Sequence, residues 1–458
     1  MSERLAVLLK EAVQGYAANR FKDSVQKLGR PCGAFSARQT VSLTGDARRR
    51  VRHSGRAAPW LFRVASCLAL ALAAACLPSQ APLELELDLR DGRKLLAERL
   101  LGDAGAGLRA IRGDAAQPLV LDDLVAVRVG SAAPPDLLRI DLVGGERMFG
   151  AIVGGDSNGD TVEVLSPVLG KRGVAIDRVE AVVRPGVHPG DQLVPDGIDE
   201  ALFLPTQRGY DLVAGTLFRF GTQGLQFQAE GQERARWYSP RTFSSLRLRG
   251  GVGRDEPAAS TLWTRTADRL GVDVVRFGAD GVEVRLEGGA LVTVRWSDVG
   301  CLVFNAGLRH LSEMQPTEVV ERGFDGWPVH RWRGDRSAVG GELLARGRVY
   351  GRGLGVHSMS RLTYTAPVGA THFRASVALD DSVRLLPLRA HVEVRVLHND
   401  REIFTAADLG VGQPVRDVGR HVVEAGDTIT LEVAFGEGRD LGDRVDWLLP
   451  MFLLRRGS

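Results

Sequence analysis

His372-Phe373-Arg374-Ala375-Ser376-Val377-Ala378-Leu379 decides how the second half of this chain is read. Phe373, Ala375, Val377 and Leu379 alternate with His372, Arg374, Ser376 and Ala378, the period of two that places one set of side chains on one face of a β-strand. Downstream, Val392, Val394 and Val396 alternate with His391, Glu393 and Arg395, and Ile429, Leu431, Val433 and Phe435 repeat the pattern. Asn399-Asp400 supplies a tight turn between two such runs. Strands at this spacing, each with one apolar face, predict a sandwich of two antiparallel sheets.

The same grammar extends upstream. Leu83, Leu85, Leu87 and Leu89 alternate with Glu84, Glu86 and Asp88 before an Asp91-Gly92 turn. Ile140 and Leu142 lead into Gly144-Gly145, and Val282, Val284 and Leu286 into Gly288-Gly289. A closing heptapeptide recurs from Leu121, Ile176, Pro240 and Trp296, at spacings of 55, 64 and 56 residues. Units of that length hold about five short strands and suit small bent barrels in tandem. The fold class expected is therefore all-β: a C-terminal two-sheet β-sandwich preceded by tandem small β-barrel or meander units.

Residues 1–81 carry 13 Lys+Arg and 4 Asp+Glu, so the remainder has 46 against 52 and a net charge of −6. An acidic body lacks the basic footprint of a nucleic-acid binder. The apolar run Val64 to Leu77 is too short to span a bilayer comfortably and fits a secretory signal, with Ser79 and Ala81 as the small residues of a cleavage site. The expected organisation is a basic leader over 1–58, a signal peptide over 59–81, two small β units over 82–184, and a linker over 185–211. Two further units follow over 212–304, and the sandwich over 305–456. Localisation is then extracytoplasmic, and a membrane enters only through an uncleaved signal anchor or a lipid on Cys76. Of Cys32, Cys67, Cys76 and Cys301 only Cys301 survives cleavage, which excludes an intrachain disulfide and makes Cys301 a small buried hydrophobe.

The most specific stretch is Tyr350-Gly351-Arg352-Gly353-Leu354-Gly355-Val356-His357-Ser358. It stands between His310-Leu311-Ser312 and Asp335-Arg336-Ser337-Ala338-Val339-Gly340-Gly341 on one side and Leu362-Thr363-Tyr364, Val377-Ala378-Leu379-Asp380-Asp381 and Asp443-Arg444-Val445-Asp446-Trp447 on the other. In this order the motifs resemble the NPCBM family, carbohydrate-binding modules found beside glycoside hydrolases of family 98. The chain departs from the family where Leu379 replaces the usual Gly before the Asp pair. The resemblance implies a galactose-binding-like jelly roll whose end loops hold a glycan.

Sugar recognition needs oriented polar groups for hydroxyls and an aromatic face for the C–H surface. His357, Asp380, Asp381 and Trp447 supply those chemistries at motif positions and are the candidate carbohydrate-binding residues. The alternative for each is structural: His357 fixing its loop, an Asp capping backbone amides, Trp447 filling the core. Asp443 and Asp446 are the candidate ligands of a structural Ca²⁺, the one cofactor considered. Of the aromatics upstream, Trp237, Tyr238, Trp263 and Trp296, the reading favours core packing over a ligand platform.

No pair of carboxylates sits on a scaffold that suits a glycosidase cleft, so no catalytic residue is assigned. The expected function is an exported, non-catalytic carbohydrate-binding protein, its partner a glycan, with galactose the candidate sugar. The alternatives are an envelope scaffold that binds proteins, through the N-terminal β units among others, and last a glycoside hydrolase.

Overall fold

The computed structural model describes residues 83–455 apart from 104, 106, 188–193, 195–196, 250–257, 327–329, 387–389 and 437–440. The leader over 1–58 and the signal peptide over 59–81 lie outside the described residues. Among those described, every regular element is a strand or a short 3-10 turn, and no helix is long and apolar enough to cross a membrane.

The N-terminal part is built from four antiparallel meanders. In each, the last strand returns to pair with the first: Leu85–Leu89 with Leu124–Arg128, Leu138–Leu142 with Val179–Val183, Glu200–Thr206 with Ser245–Leu248, and Ser260–Thr264 with Val299–Phe304. The recurring heptapeptides are these closures. Leu121–Asp123, Ile176–Arg178 and Trp296–Asp298 each form a single 3-10 turn that reverses the chain into the closing strand. Each closing strand pairs with the first strand of its unit but not with the strand before it, which leaves it one free edge, and such edges are satisfied by pairing. Here Leu124–Arg128 pairs with Val299–Phe304, and Val179–Val183 with Ser245–Leu248. The first unit therefore joins the fourth and the second joins the third. This corrects the grouping of neighbours on either side of a linker, because edge pairing, not chain proximity, chooses the partner. Within 185–211, expected as that linker, Glu200–Thr206 is a strand of the third unit.

The C-terminal part is the expected sandwich. One sheet runs Arg333–Gly334, Gly353–His357, Arg444–Leu454, Ala370–Leu379, Arg416–Val422, with Leu308–His310 also on Arg444–Leu454. The other runs Glu318–Glu321, Ser360–Thr365, Thr428–Phe435, His391–His398, Arg401–Gly410. Phe373, Val377, Val392, Val394, Ile429 and Leu431 meet in the core between the sheets, as the alternation requires.

Arg444–Leu454 breaks the alternation: almost every residue is buried. Val445, Trp447 and Phe452 face the sandwich core, while Leu448, Met451 and Leu453 face a second core containing Val125, Trp263, Cys301 and Val303 of the barrels. A strand covered on both sides reads as a continuous apolar run. Cys301 is the buried small hydrophobe expected, and burial pushes its thiol up to about 11. Trp263 and Trp296 are core residues, whereas Trp237 is exposed.

Buried charge crosses the same seam. Arg128 pairs with Glu86 and Asp88, the carboxylate face read at the first strand, and lies 4.4 Å over the Tyr350 ring. Arg374 approaches Asp88 at 3.5 Å and donates to the Leu89 carbonyl at 2.7 Å. Asp335 of the sandwich receives Arg269 of the barrels at 2.6 Å and Arg352 at 2.7 Å. Removing one member of such a set strands a buried charge, at about 3–5 kcal/mol.

Candidate functional site

The three glycines of the central motif are set by packing. A Cβ on Gly353 would strike the Trp447 carbonyl, and one on Gly355 the Arg336 carbonyl and the Ala338 amide. One on Gly351 would enter the Trp263 ring. The motif thus lets a sandwich strand run close against its own neighbours at Gly353 and Gly355 and against the barrels at Gly351, and its signature is steric.

That strand delivers His357 to one end of the sandwich. His357 is 8% exposed, with Nδ1 3.0 Å from the Ser358 carbonyl. Its ring stacks on exposed His330 at 4.4 Å between centroids, 28° apart in plane. Ser358 donates its hydroxyl to Asp443 Oδ2 at 2.6 Å. Arg322 and Met359 exchange backbone hydrogen bonds at 3.1 and 3.2 Å, tying the loop of Phe324 to the same end, where Phe324 meets Phe435 edge to face at 5.4 Å. Opposite His357 in the ladder is Arg444, which donates to Ser382 at 3.0 Å. Next in the sheet, Leu379 pairs with Val445 and leads into Asp380 and Asp381.

The structure therefore gathers His357, Asp443, Arg444, Asp380 and Asp381 at the ends of three adjacent strands, and gives most of them structural work. Asp380 is buried; it caps a 3-10 turn by accepting from the Ser382 amide at 2.9 Å and holds the Leu344 amide at 3.3 Å. Asp381 accepts from the Gly347 amide at 2.6 Å and faces Arg384 at 3.2 Å. Together they clamp the hairpin of Leu344–Ala345 and Arg348–Val349. Trp447 is 0% exposed and wholly within the core, so it has no face for a sugar; the alternation that marks it as motif also points it inward. This corrects its assignment as a ligand contact.

Asp443 serves Ser358, while Asp446 is fully buried, and burial with Asp380 alongside pushes its carboxyl well above the usual carboxylate range. Among the described residues no three His, Cys, Asp or Glu side chains converge as a metal-ligand set.

The reading from sequence did not single out His330 or Arg444 as contacts. His330 belongs to no motif, and only the fold sets it against His357, 27 positions away.

Against known proteins, residues 309–453 match the family model described as the NPCBM/NEW2 domain. Among solved structures, the chain is 17% identical to the CBM51 of a Clostridium perfringens GH95 protein in complex with methyl-galactose, at a TM-score of 0.28, covering 32% of this chain and 99% of that one. It is 18% identical to the CBM51-2 and INT domains of Clostridium perfringens ZmpB in complex with GlcNAc, covering 40% and 37% at a TM-score of 0.28. The tandem CBM51 modules of a Streptococcus pneumoniae family 98 glycoside hydrolase are 12% identical, covering 69% and 88% at a TM-score of 0.25. No curated protein matches the chain. The sandwich that presents His357 is thus the part of this chain, residues 309–453, that matches the NPCBM/NEW2 domain.

Proposed function

We propose that this chain is an exported, non-catalytic carbohydrate-binding protein that holds a galactose-like glycan at the end of the sandwich carrying His357. The observation that carries the reading is the NPCBM/NEW2 match over 309–453, coincident with the two-sheet body. The local chemistry supports it. His330 offers an exposed ring, the His357 ring stacks against it, and Arg444 stands across the ladder. Stacking on a ring with hydrogen bonds at its rim is how a hydroxyl-rich ligand with one apolar face is held.

Calorimetric titration of the full chain with methyl-galactoside and with GlcNAc tests the proposal. Galactoside binding is expected, weakened at least tenfold, about 1.4 kcal/mol, by His330→Ala, whose exposed position leaves the core intact. Absence of binding to either sugar at millimolar concentration overturns it. Non-catalysis is checked with chromogenic glycosides; hydrolysis abolished by a single carboxylate substitution would reverse the assignment. Mass spectrometry of the mature protein tests export, with an N-terminus at Pro82 expected.

A further inference from the structure

Trp237 and Tyr238 are neighbours in the chain, yet the third unit uses them in opposite ways. Tyr238 packs on the barrel core, edge to face with Phe227 at 6.4 Å, whereas Trp237 is 40% exposed on the outer face. Three strands make that face, Gly209–Gly221, Gly224–Ala229 and Arg236–Tyr238. Their register sets Arg219, Gln226 and Trp237 in one cross-strand row.

The Trp237 ring is held from beneath. A Cβ on Gly221 would stand 2.8 Å from its Cη2 and 3.2 Å from its Cζ3, so the six-membered ring lies against bare backbone. The Arg219 guanidinium is 5.6 Å from the ring centroid, and its Nε donates to Gln226 Oε1 at 3.0 Å. That bond leaves the terminal guanidinium nitrogens of Arg219 and the Gln226 NH2 as donors beside an exposed ring.

A second ring shares the face. Leu217 and Phe220 both turn into the barrel core, and a bulge between Leu217 and Arg219 inserts Phe218. Phe218 is 49% exposed and Arg219 is exposed with it, so the bulge sends two consecutive side chains outward. The second unit braces it: a Cβ on Gly159 would strike the Phe218 carbonyl. Phe218 and Trp237 stand on strands two ladder spacings apart, about 10 Å.

Fixed aromatic faces with hydrogen-bond donors beside them suit a ligand that alternates C–H surfaces with hydroxyls. A protein partner would instead meet an apolar centre. Here the central strand turns Gln226 and Gln228 outward, alternating with buried Leu225 and Phe227. Two rings that far apart call for several linked sugars, and pyranoses with equatorial substituents show C–H groups on both faces.

We infer that the outer face of the third unit is a second saccharide site, a platform for an extended chain of β-linked, equatorially substituted pyranoses. The sugars stack on Trp237 and Phe218, and Arg219 and Gln226 donate to their hydroxyls. This site shares no residue with the end of the sandwich and goes beyond the function proposed there.

The test is calorimetry on the full chain with cellohexaose, its α-linked counterpart maltohexaose, and methyl-galactoside, in wild type, Trp237→Ala, Trp237→Phe and His330→Ala. Cellohexaose is expected to bind more tightly than maltohexaose. Trp237→Ala should weaken it at least tenfold and Trp237→Phe less, while His330→Ala leaves it unchanged and Trp237→Ala leaves methyl-galactoside binding unchanged. Should Trp237→Ala melt early, Phe218→Ala at the exposed bulge gives the same reading, with a loss of at least threefold. Cellohexaose binding that survives Trp237→Ala and is lost in His330→Ala overturns the platform. If methyl-galactoside binds and cellohexaose does not, the platform fails and the proposed function stands; Trp237-dependent cellohexaose binding without methyl-galactoside binding gives the reverse. Self-association in sedimentation that Trp237→Ala abolishes, with no hexasaccharide bound, overturns the saccharide class.

Discussion

Gly351→Ala should loosen the seam between sandwich and barrels. The added methyl would stand 2.5 Å from Cζ3 and 2.7 Å from Cδ2 of Trp263. Carbon atoms in ordinary contact sit about 3.5–4.0 Å apart, so one wall must retreat by roughly 1 Å. Trp263 has nowhere to go. It is 0% exposed, with the guanidinium groups of Arg269 and Arg352 over its ring at 5.4 and 5.9 Å. Overpacking of this kind costs about 1–3 kcal/mol. At about 2–4 °C per kcal/mol for domains of 150–250 residues the midpoint should fall by roughly 2–12 °C, and by less in a larger body. Thermal melts of the full chain measure this. Trp263→Leu, destabilising alone, removes the obstruction, so the double variant should be more stable than the two single penalties predict by about 0.5–3 kcal/mol. A Gly351→Ala protein that melts with wild type, or a penalty unchanged in the Trp263→Leu background, would refute a steric origin for this glycine.

Further outcomes follow from the same contacts. Trp447→Ala should cost about 3–5 kcal/mol, whereas Trp447→Phe, milder in urea unfolding, should keep methyl-galactoside affinity; loss of affinity in a folded Phe variant would restore Trp447 to the ligand. Asp427 accepts from Asn399 at 2.8 Å, the Glu424 amide at 2.8 Å and His398 at 2.9 Å, which lowers its carboxyl to about 2. Its contribution is therefore complete above the unfolded value near 4 and vanishes as pH falls toward 2, so Asp427→Asn should melt earlier at pH 7 and converge with wild type in acid. A constant difference across that window would count against the linkage. EGTA should leave the melting midpoint in place, since Asp443 is engaged by Ser358 and no three His, Cys, Asp or Glu side chains converge among the described residues; a drop reversed by calcium would restore Asp443 and Asp446 as its ligands.

Much of the architecture was legible because it is local. Period-two alternation at Phe373–Leu379 and Val392–Val396 depends only on which side of a strand a residue faces, and turn signals such as Asn399-Asp400 depend on backbone freedom at two positions; both residues adopt positive φ. The recurring heptapeptide was legible for the same reason, since a 3-10 reversal followed by an apolar strand is written in consecutive residues. The order of motifs from His310 to Trp447 carried the NPCBM resemblance, which the family match over 309–453 bears out.

What each motif residue does was not legible. Asp380 and Trp447 stand as ligand candidates in sequence because they are distinctive, yet they respectively hold two amides and fill a core. Those roles depend on atoms tens to hundreds of positions away. Sequence by itself determined that this is a β protein made of small closed units followed by a two-sheet sandwich of the NPCBM type. Only the tertiary structure decided that the first barrel pairs with the fourth, that Arg444–Leu454 is covered on both faces, and that His330 meets His357. The physical reason is that strand faces and turns are chosen by neighbours in the chain, whereas edge pairing, burial of a second face and the convergence of charges are chosen by surfaces that exist only after folding.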